Sequence, residues 1–184
     1  MNRAVFLDRD GVLVHEPPAY AHRLDQLFMI DGVPEAVRQL NEKGMKVVVV
    51  SNQTGVARGL FTENDIAIFN QAMTGYIKNG GGRIDRIYYC PHHPEAVVET
   101  YKRMCLCRKP EPGLLLKAAA ELEIDLTQSF MIGDKWTDLE AGKRVGCTTV
   151  LVKTGLGLGE LEKNPHGPAD HIAGNLLESL NLIS

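Results

Sequence analysis

Ala4-Val5-Phe6-Leu7-Asp8-Arg9-Asp10-Gly11 is the stretch that decides the fold of this 184-residue chain. Four apolar residues followed by acidic residues and a glycine read as a short buried strand that ends at a turn. Side chains alternate along a strand, so Asp8 and Asp10, two positions apart, point the same way. In open parallel sheets, ligands bind beyond the carboxyl ends of the strands. Like charges held that close call for a compensating cation or for unequal protonation. Mg²⁺ suits carboxylate oxygens and works beside phosphate groups. An ordinary turn also favours Asp and Gly, so the pair alone leaves both readings open.

Outward from that strand, strands alternate with helices, the pattern of a parallel α/β sheet. Residues 15–33 are irregular and contain Pro17-Pro18 and Asp31-Gly32. A helix is expected over Pro34–Lys43, with proline in its first turn and Gly44 at its stop. Lys46–Ser51 is a β-branched second strand. Thr62, followed by Glu63 and Asp65, starts a longer helix that Gly80-Gly81-Gly82 ends. Ile84–Tyr89 reads as the third strand, Gly113–Glu123 as a helix and Ser129–Ile132 as the fourth strand. A helix over Thr137–Val145 leads to a fifth strand, Thr148–Val152. Residues 154–168 are Gly-rich and read as a mobile loop. Ile172 suits a short edge strand before a last helix near Leu176–Leu180. The expectation is one domain over residues 1–184.

Composition narrows the function classes. A hydrophobic content of 44% supplies a full core, and a net charge of −3 argues against nucleic acid or an anionic membrane as partner. No apolar run approaches the roughly 18 residues of a membrane span. Asp8 and Asp10 interrupt the N-terminal apolar run, so no secretion signal is read there. The expectation is a cytoplasmic monomer acting on a small molecule.

Three strand ends carry reactive groups. The first ends in Asp8 and Asp10, the second in Ser51-Asn52-Gln53-Thr54-Gly55, and the fourth in Gly133-Asp134-Lys135, with Asp138 one turn on. Right-handed crossovers bring such ends to one crevice. Hydroxyl and amide donors beside glycine suit phosphate oxygens, and a third carboxylate suits the same Mg²⁺. Separately, Cys90, His92, Cys105 and Cys107 form C-x-H-x12-C-x-C, a complete tetrahedral set for structural Zn²⁺. In a cytosolic chain such a cluster points to metal rather than disulfide. His92 is preferred to the adjacent His93 because it gives the shorter bite. Cys147 reads as a small buried residue, and His15, His22, His166 and His171 as surface groups.

The set DRDG, SNQTG, RKP and GDKWTD resembles the four motifs of the haloacid dehalogenase (HAD) phosphatase superfamily. The resemblance implies a HAD-like Rossmannoid sheet with helices on both faces and a minimal cap carrying the zinc loop, residues 90–109. It implies Asp8 as nucleophile, forming an aspartyl-phosphate, and Asp10 as acid and then base. Asp8, Asp134 and the Asp10 carbonyl would hold Mg²⁺, and Ser51 and Lys109 would stabilise the transferring phosphoryl group. The role of Asp138 stays open.

Over residues 4–155 the order and spacing of FLDRDGVLV, VVVVSNQTGVARGLFTE, YYCPHHPE, CLCRKPEPG and MIGDKWTDLEAG are similar to the heptose bisphosphate phosphatases of that superfamily. That similarity implies removal of the 7-phosphate of a heptose 1,7-bisphosphate, for surface polysaccharide synthesis. It implies substrate contacts from Ser51, Asn52, Gln53, Thr54, Arg58, Arg108, Lys109 and Lys135. The runner-up family is the histidinol-phosphate phosphatases, which resemble the chain in DRDG, the zinc loop and His15-Glu16-Pro17…Arg23-Leu24-Asp25. A DNA 3′-phosphatase lacks support, because no basic groove or aromatic stripe is visible. A catalytically silent, zinc-stabilised binding module is the alternative of another class. Ser51 stands where the superfamily commonly has threonine, and Val12 follows DRDG where threonine is common.

Overall fold

The computed structural model describes residues 1–17 and 20–183. Pro18 of the expected Pro17-Pro18 pair lies outside them. Six parallel strands, β1 (Ala4–Leu7), β2 (Lys46–Asn52), β3 (Arg86–Cys90), β4 (Phe130–Gly133), β5 (Thr148–Val152) and β6 (His171–Ala173), form one sheet in the order β3-β2-β1-β4-β5-β6. The chain builds outward from β1 to β3 and then crosses back to lay β4 on the other side of β1. The order therefore reverses at β1, and the crevice opens above its carboxyl end, where Asp8 and Asp10 stand.

Helices cover both faces. Val5 and Leu7 pack into one apolar cluster with α1 (Val33–Glu42), α3 (Glu63–Asn79) and α7 (Leu176–Ser179). Ala4 and Phe6 pack into the other, with α4 (Gly113–Leu122) and α5 (Trp136–Lys143). This alternation along a strand that is buried throughout explains why the run is continuously apolar. Val12 is fully buried and packs in the first cluster.

Most expected elements are present within a residue or two. Thr62 caps α3 reciprocally: its hydroxyl accepts from the Asp65 N–H at 3.2 Å, and its own N–H donates to Asp65 Oδ2 at 2.7 Å. The third strand starts later than expected because Asp85 is committed to Val47, whose N–H donates to Asp85 Oδ2 at 2.8 Å. It also runs on to Cys90, opposite Asn52 of β2, which sets the first residue of the Cys–His set beside the second motif.

Two short helices were not anticipated, α2 (Thr54–Ala57) and α6 (Gly157–Lys163). The second corrects the reading of residues 154–168 as a loop. Two glycines of this segment serve close approach: a Cβ on Gly157 would lie 1.8 Å from the Val152 carbonyl oxygen, and one on Gly155 2.2 Å from Asp134 Oδ2. Thr154 Oγ1 donates to the Gly11 carbonyl at 2.7 Å, tying this segment to the turn after β1.

Candidate active site and metal centre

A cleft of about 250 Å³ opens over the carboxyl ends of β1, β2 and β4. Asp8, Asp10, Ser51, Asn52, Thr54, Arg108, Lys109, Lys135 and Asp138 all border it, so residues far apart in sequence meet as expected. Glu16, Tyr20 and Thr137 border it too, and no strand-end argument had named them. Gln53, Arg58 and Asp134 do not. Gln53 is buried, with Nε2 donating to Ser51 Oγ at 2.8 Å and to Asp10 Oδ2 at 3.0 Å. Arg58 is exposed, its guanidinium 6.0 Å from the Tyr20 ring centroid.

Lys109 forms the floor. Its side chain is buried, and Nζ lies 2.8 Å from Asp8 Oδ1, 2.6 Å from Asp138 Oδ1 and 2.7 Å from the Val50 carbonyl oxygen. Burial alone would lower the pKa of this ammonium, but Asp138 and Asp8 outweigh it and raise the pKa. Desolvating an ammonium costs several kcal/mol, which two carboxylates and a carbonyl offset here. Asp138 also accepts from the Lys135 N–H at 3.1 Å. Its position is thus that of an anchor for Lys109.

The loop that carries Lys109 is clamped to β2. Asn52 Nδ2 donates to the Lys109 carbonyl and the Lys109 N–H donates to Asn52 Oδ1, each at 3.0 Å. Arg108 Nη1 donates to Thr54 Oγ1 at 2.8 Å. Across the cleft, Lys135 Nζ is 3.2 Å from Glu16 Oε2.

Carboxylate oxygens of Asp8, Asp134 and Asp138 lie within 4.8 Å of one another. Asp134 Oδ1 is buried without a hydrogen-bond partner, while Oδ2 accepts from the Leu156 N–H at 2.9 Å. Burial first, then the charge of Asp8, pushes the Asp134 pKa up to about 8. Burial likewise raises Asp138, to about 6. Gly11, at φ +88°, gives Asp134 its room, because a Cβ there would sit 2.1 Å from Asp134 Oδ2. An orphan carboxylate oxygen, a surplus of buried negative charge and an all-oxygen donor set fit Mg²⁺.

Cys90, His92, Cys105 and Cys107 converge at the other end of the zinc loop. Sulfur–sulfur distances are 3.2 to 3.4 Å, and His92 Nδ1 is 3.4 Å from Cys107 Sγ. Disulfide sulfurs lie about 2.05 Å apart, whereas tetrahedral zinc with bonds of about 2.3 Å spaces its ligands about 3.8 Å apart. The four ligand atoms are therefore too far apart for a disulfide and gathered closely enough to hold a tetrahedral zinc ion. Burial, then Arg103, lowers the His92 pKa, which keeps the imidazole neutral as a ligand must be. His93 turns away, its Nδ1 accepting from the Glu95 N–H at 3.1 Å. Cys147 is buried and free, and burial raises its pKa to about 12. Of the four histidines read as surface groups, His15, His166 and His171 are exposed. His22 is half-buried instead, its ring stacked on that of Phe61 with centroids 4.7 Å apart.

Known proteins resemble this chain in sequence and fold. The HAD-hydrolase-like family profile matches residues 106–179. The D-glycero-beta-D-manno-heptose-1,7-bisphosphate 7-phosphatase of Photorhabdus laumondii is 49% identical over 154 residues, 83% of this chain and 81% of that protein. Its counterpart in Escherichia coli K12 is 46% identical, over 83% and 80%. The crystal structure of D,D-heptose 1,7-bisphosphate phosphatase from B. bronchiseptica, complexed with magnesium and phosphate, superposes with a TM-score of 0.88 at 30% identity, over 98% of this chain and 97% of that one. With its DRDG strand end, buried lysine and Cys₃His loop, the chain belongs to the heptose 1,7-bisphosphate phosphatase family of HAD hydrolases.

Proposed function

We propose that this chain is a Mg²⁺-dependent phosphatase that removes the 7-phosphate of D-glycero-β-D-manno-heptose 1,7-bisphosphate. The observation that carries the proposal is the buried Lys109 ammonium between Asp8 and Asp138 at the floor of an open cleft, with carboxylate oxygens of Asp8, Asp134 and Asp138 within 4.8 Å of one another. The β anomer is taken from the names of the relatives. We read residues 1–184 as one domain and the protein as a cytoplasmic monomer. No helix among the described residues is long and apolar enough to cross a membrane.

Asp8 attacks phosphorus in line, forming a carboxyl oxygen–phosphorus bond as the bond to the C7 oxygen breaks. Asp10 gives its proton to the departing alkoxide. It then takes a proton from water, whose oxygen attacks phosphorus to release inorganic phosphate and restore Asp8. Ser51 and Lys109 donate to the phosphoryl oxygens, where charge is greatest in a loose transition state. Asp8, Asp134 and the Asp10 carbonyl would hold Mg²⁺, which would offset the negative charge of carboxylates and phosphate together. Asn52 contributes by holding the Lys109 backbone, and Thr54 by aiming Arg108 at the sugar or its second phosphate. Cys90, His92, Cys105 and Cys107 would hold Zn²⁺, which would fix the loop, since four protein ligands would leave it no open position for the reaction.

The test compares kcat/KM for the α and β heptose bisphosphates and for histidinol phosphate. The β anomer is expected to be preferred; a preference for histidinol phosphate would overturn the substrate and leave the chemistry.

Metal binding carries its own pH signature. Asp134 must be ionised to hold Mg²⁺, and its pKa stands near 8 without metal. Mg²⁺ affinity is therefore expected to weaken by up to about tenfold per pH unit below 8. A carboxyl raised from 3.8 in this way stabilises the metal-free fold at low pH, and that contribution is lost as pH rises through about 8. Mg²⁺ titration by calorimetry at pH 6 and 8 checks the expectation, and equal affinities would refute it.

A further inference from the structure

Arg9 stands between the two aspartates in sequence, is 1% exposed, and has no part in the steps above. A buried guanidinium is costly unless its donors are matched, and here they are. Nε donates to Asp10 Oδ1 at 3.1 Å and Nη2 to Asp10 Oδ2 at 3.0 Å, a two-pronged fork. Nη2 also donates to the Ala21 carbonyl at 2.6 Å and to Gln53 Oε1 at 3.1 Å. Nη1 donates to Asn70 Oδ1 at 3.2 Å, and the guanidinium carbon lies 4.7 Å from the Phe69 ring centroid. Phe69 and Asn70 belong to α3, and Ala21 to the segment that follows the cleft rim. The fork is thus held by elements outside β1 before it reaches Asp10.

A carboxylate offers about four lone-pair positions. Arg9 takes one on each oxygen, and Gln53 Nε2 takes the second on Oδ2 at 3.0 Å. One position remains, on Oδ1, and Asp10 borders the cleft. We infer that Arg9 is a positioning residue, locking the Asp10 carboxyl with Gln53 so that Oδ1 alone exchanges the proton with alkoxide and water. The inference rests on the acid–base role proposed for Asp10. Lysine would supply the charge without the planar fork.

Leaving-group dependence tests it. A sugar alkoxide needs a proton to leave; nitrophenolate does not. Arg9→Met and Arg9→Lys are each expected to lose about 100-fold in kcat/KM on heptose bisphosphate and to change little on p-nitrophenyl phosphate. Asn70→Leu, which loosens the guanidinium without touching Asp10, is expected to show the same selectivity at smaller size, and serves if Arg9 variants fail to fold. Equal losses on both esters, or full activity in Arg9→Lys, would overturn the inference and leave a purely structural arginine. Asp10→Asn is the reference. If it is selective while the Arg9 and Asn70 variants are not, the inference alone falls. If it is unselective, the acid–base reading falls with it.

Discussion

Asp8→Asn is expected to cut kcat on heptose bisphosphate by about 10⁴-fold or more, since a covalent mechanism has no substitute for its nucleophile. That loss corresponds to about 5 kcal/mol or more of transition-state stabilisation. Stability should move the other way. Asp8, Asp134 and Asp138 are buried carboxylates within 4.8 Å of one another, and Lys109 is the ammonium between two of them. Removing one negative charge relieves repulsion on Asp134, so the variant's Tm in EDTA is expected to equal or exceed that of the wild type. The two measurements belong together. Inactivity with a lowered Tm would report misfolding, while activity within tenfold of wild type would remove Asp8 from the mechanism.

Loss of zinc is the second large effect. Structural zinc supplies on the order of 10 kcal/mol or more of apparent binding energy to small sites, and the segment it closes has little core of its own: Val97, Met104 and Leu106 are exposed. Cys107→Ser removes a ligand two residues before Lys109. It is expected to release zinc, lower Tm and reduce kcat/KM by about 100-fold, in line with losing one preorganised donor to the phosphoryl group. Metal analysis, thermal melts and steady-state kinetics read the three outcomes. A zinc-free variant with intact kinetics would show that the Asn52 clamp on the Lys109 backbone positions the lysine unaided.

How much of this was legible depended on what kind of contact each residue makes. Strand periodicity and helix stops carried the sheet, and strand ends in a parallel sheet carried Asp8, Ser51 and Asp134, because their convergence is a rule of topology. Lys109 follows no strand. It reaches the floor through the zinc loop, and only motif order pointed to it. Asp138 looked like a second carboxylate of uncertain use until its 2.6 Å contact with Lys109 was visible. Arg9 left no trace in the sequence, because an arginine beside two aspartates reads as a solvated charge. Gly155 and Gly157 misled for a related reason: glycine marks both mobility and intimate packing, and only the carboxylate of Asp134 and the carbonyl of Val152 tell which.

Gly11 and Gly155 press on Asp134 from two loops 144 positions apart in the chain, and neither has space for a methyl group. In a directed-evolution experiment these sites are expected to form a forbidden zone, with almost any side chain there displacing Asp134 and costing activity. The rim around Glu16, Tyr20 and Arg108 has no such restriction. New substrates are therefore expected to be reached by changes along that rim, with the acidic floor inherited intact.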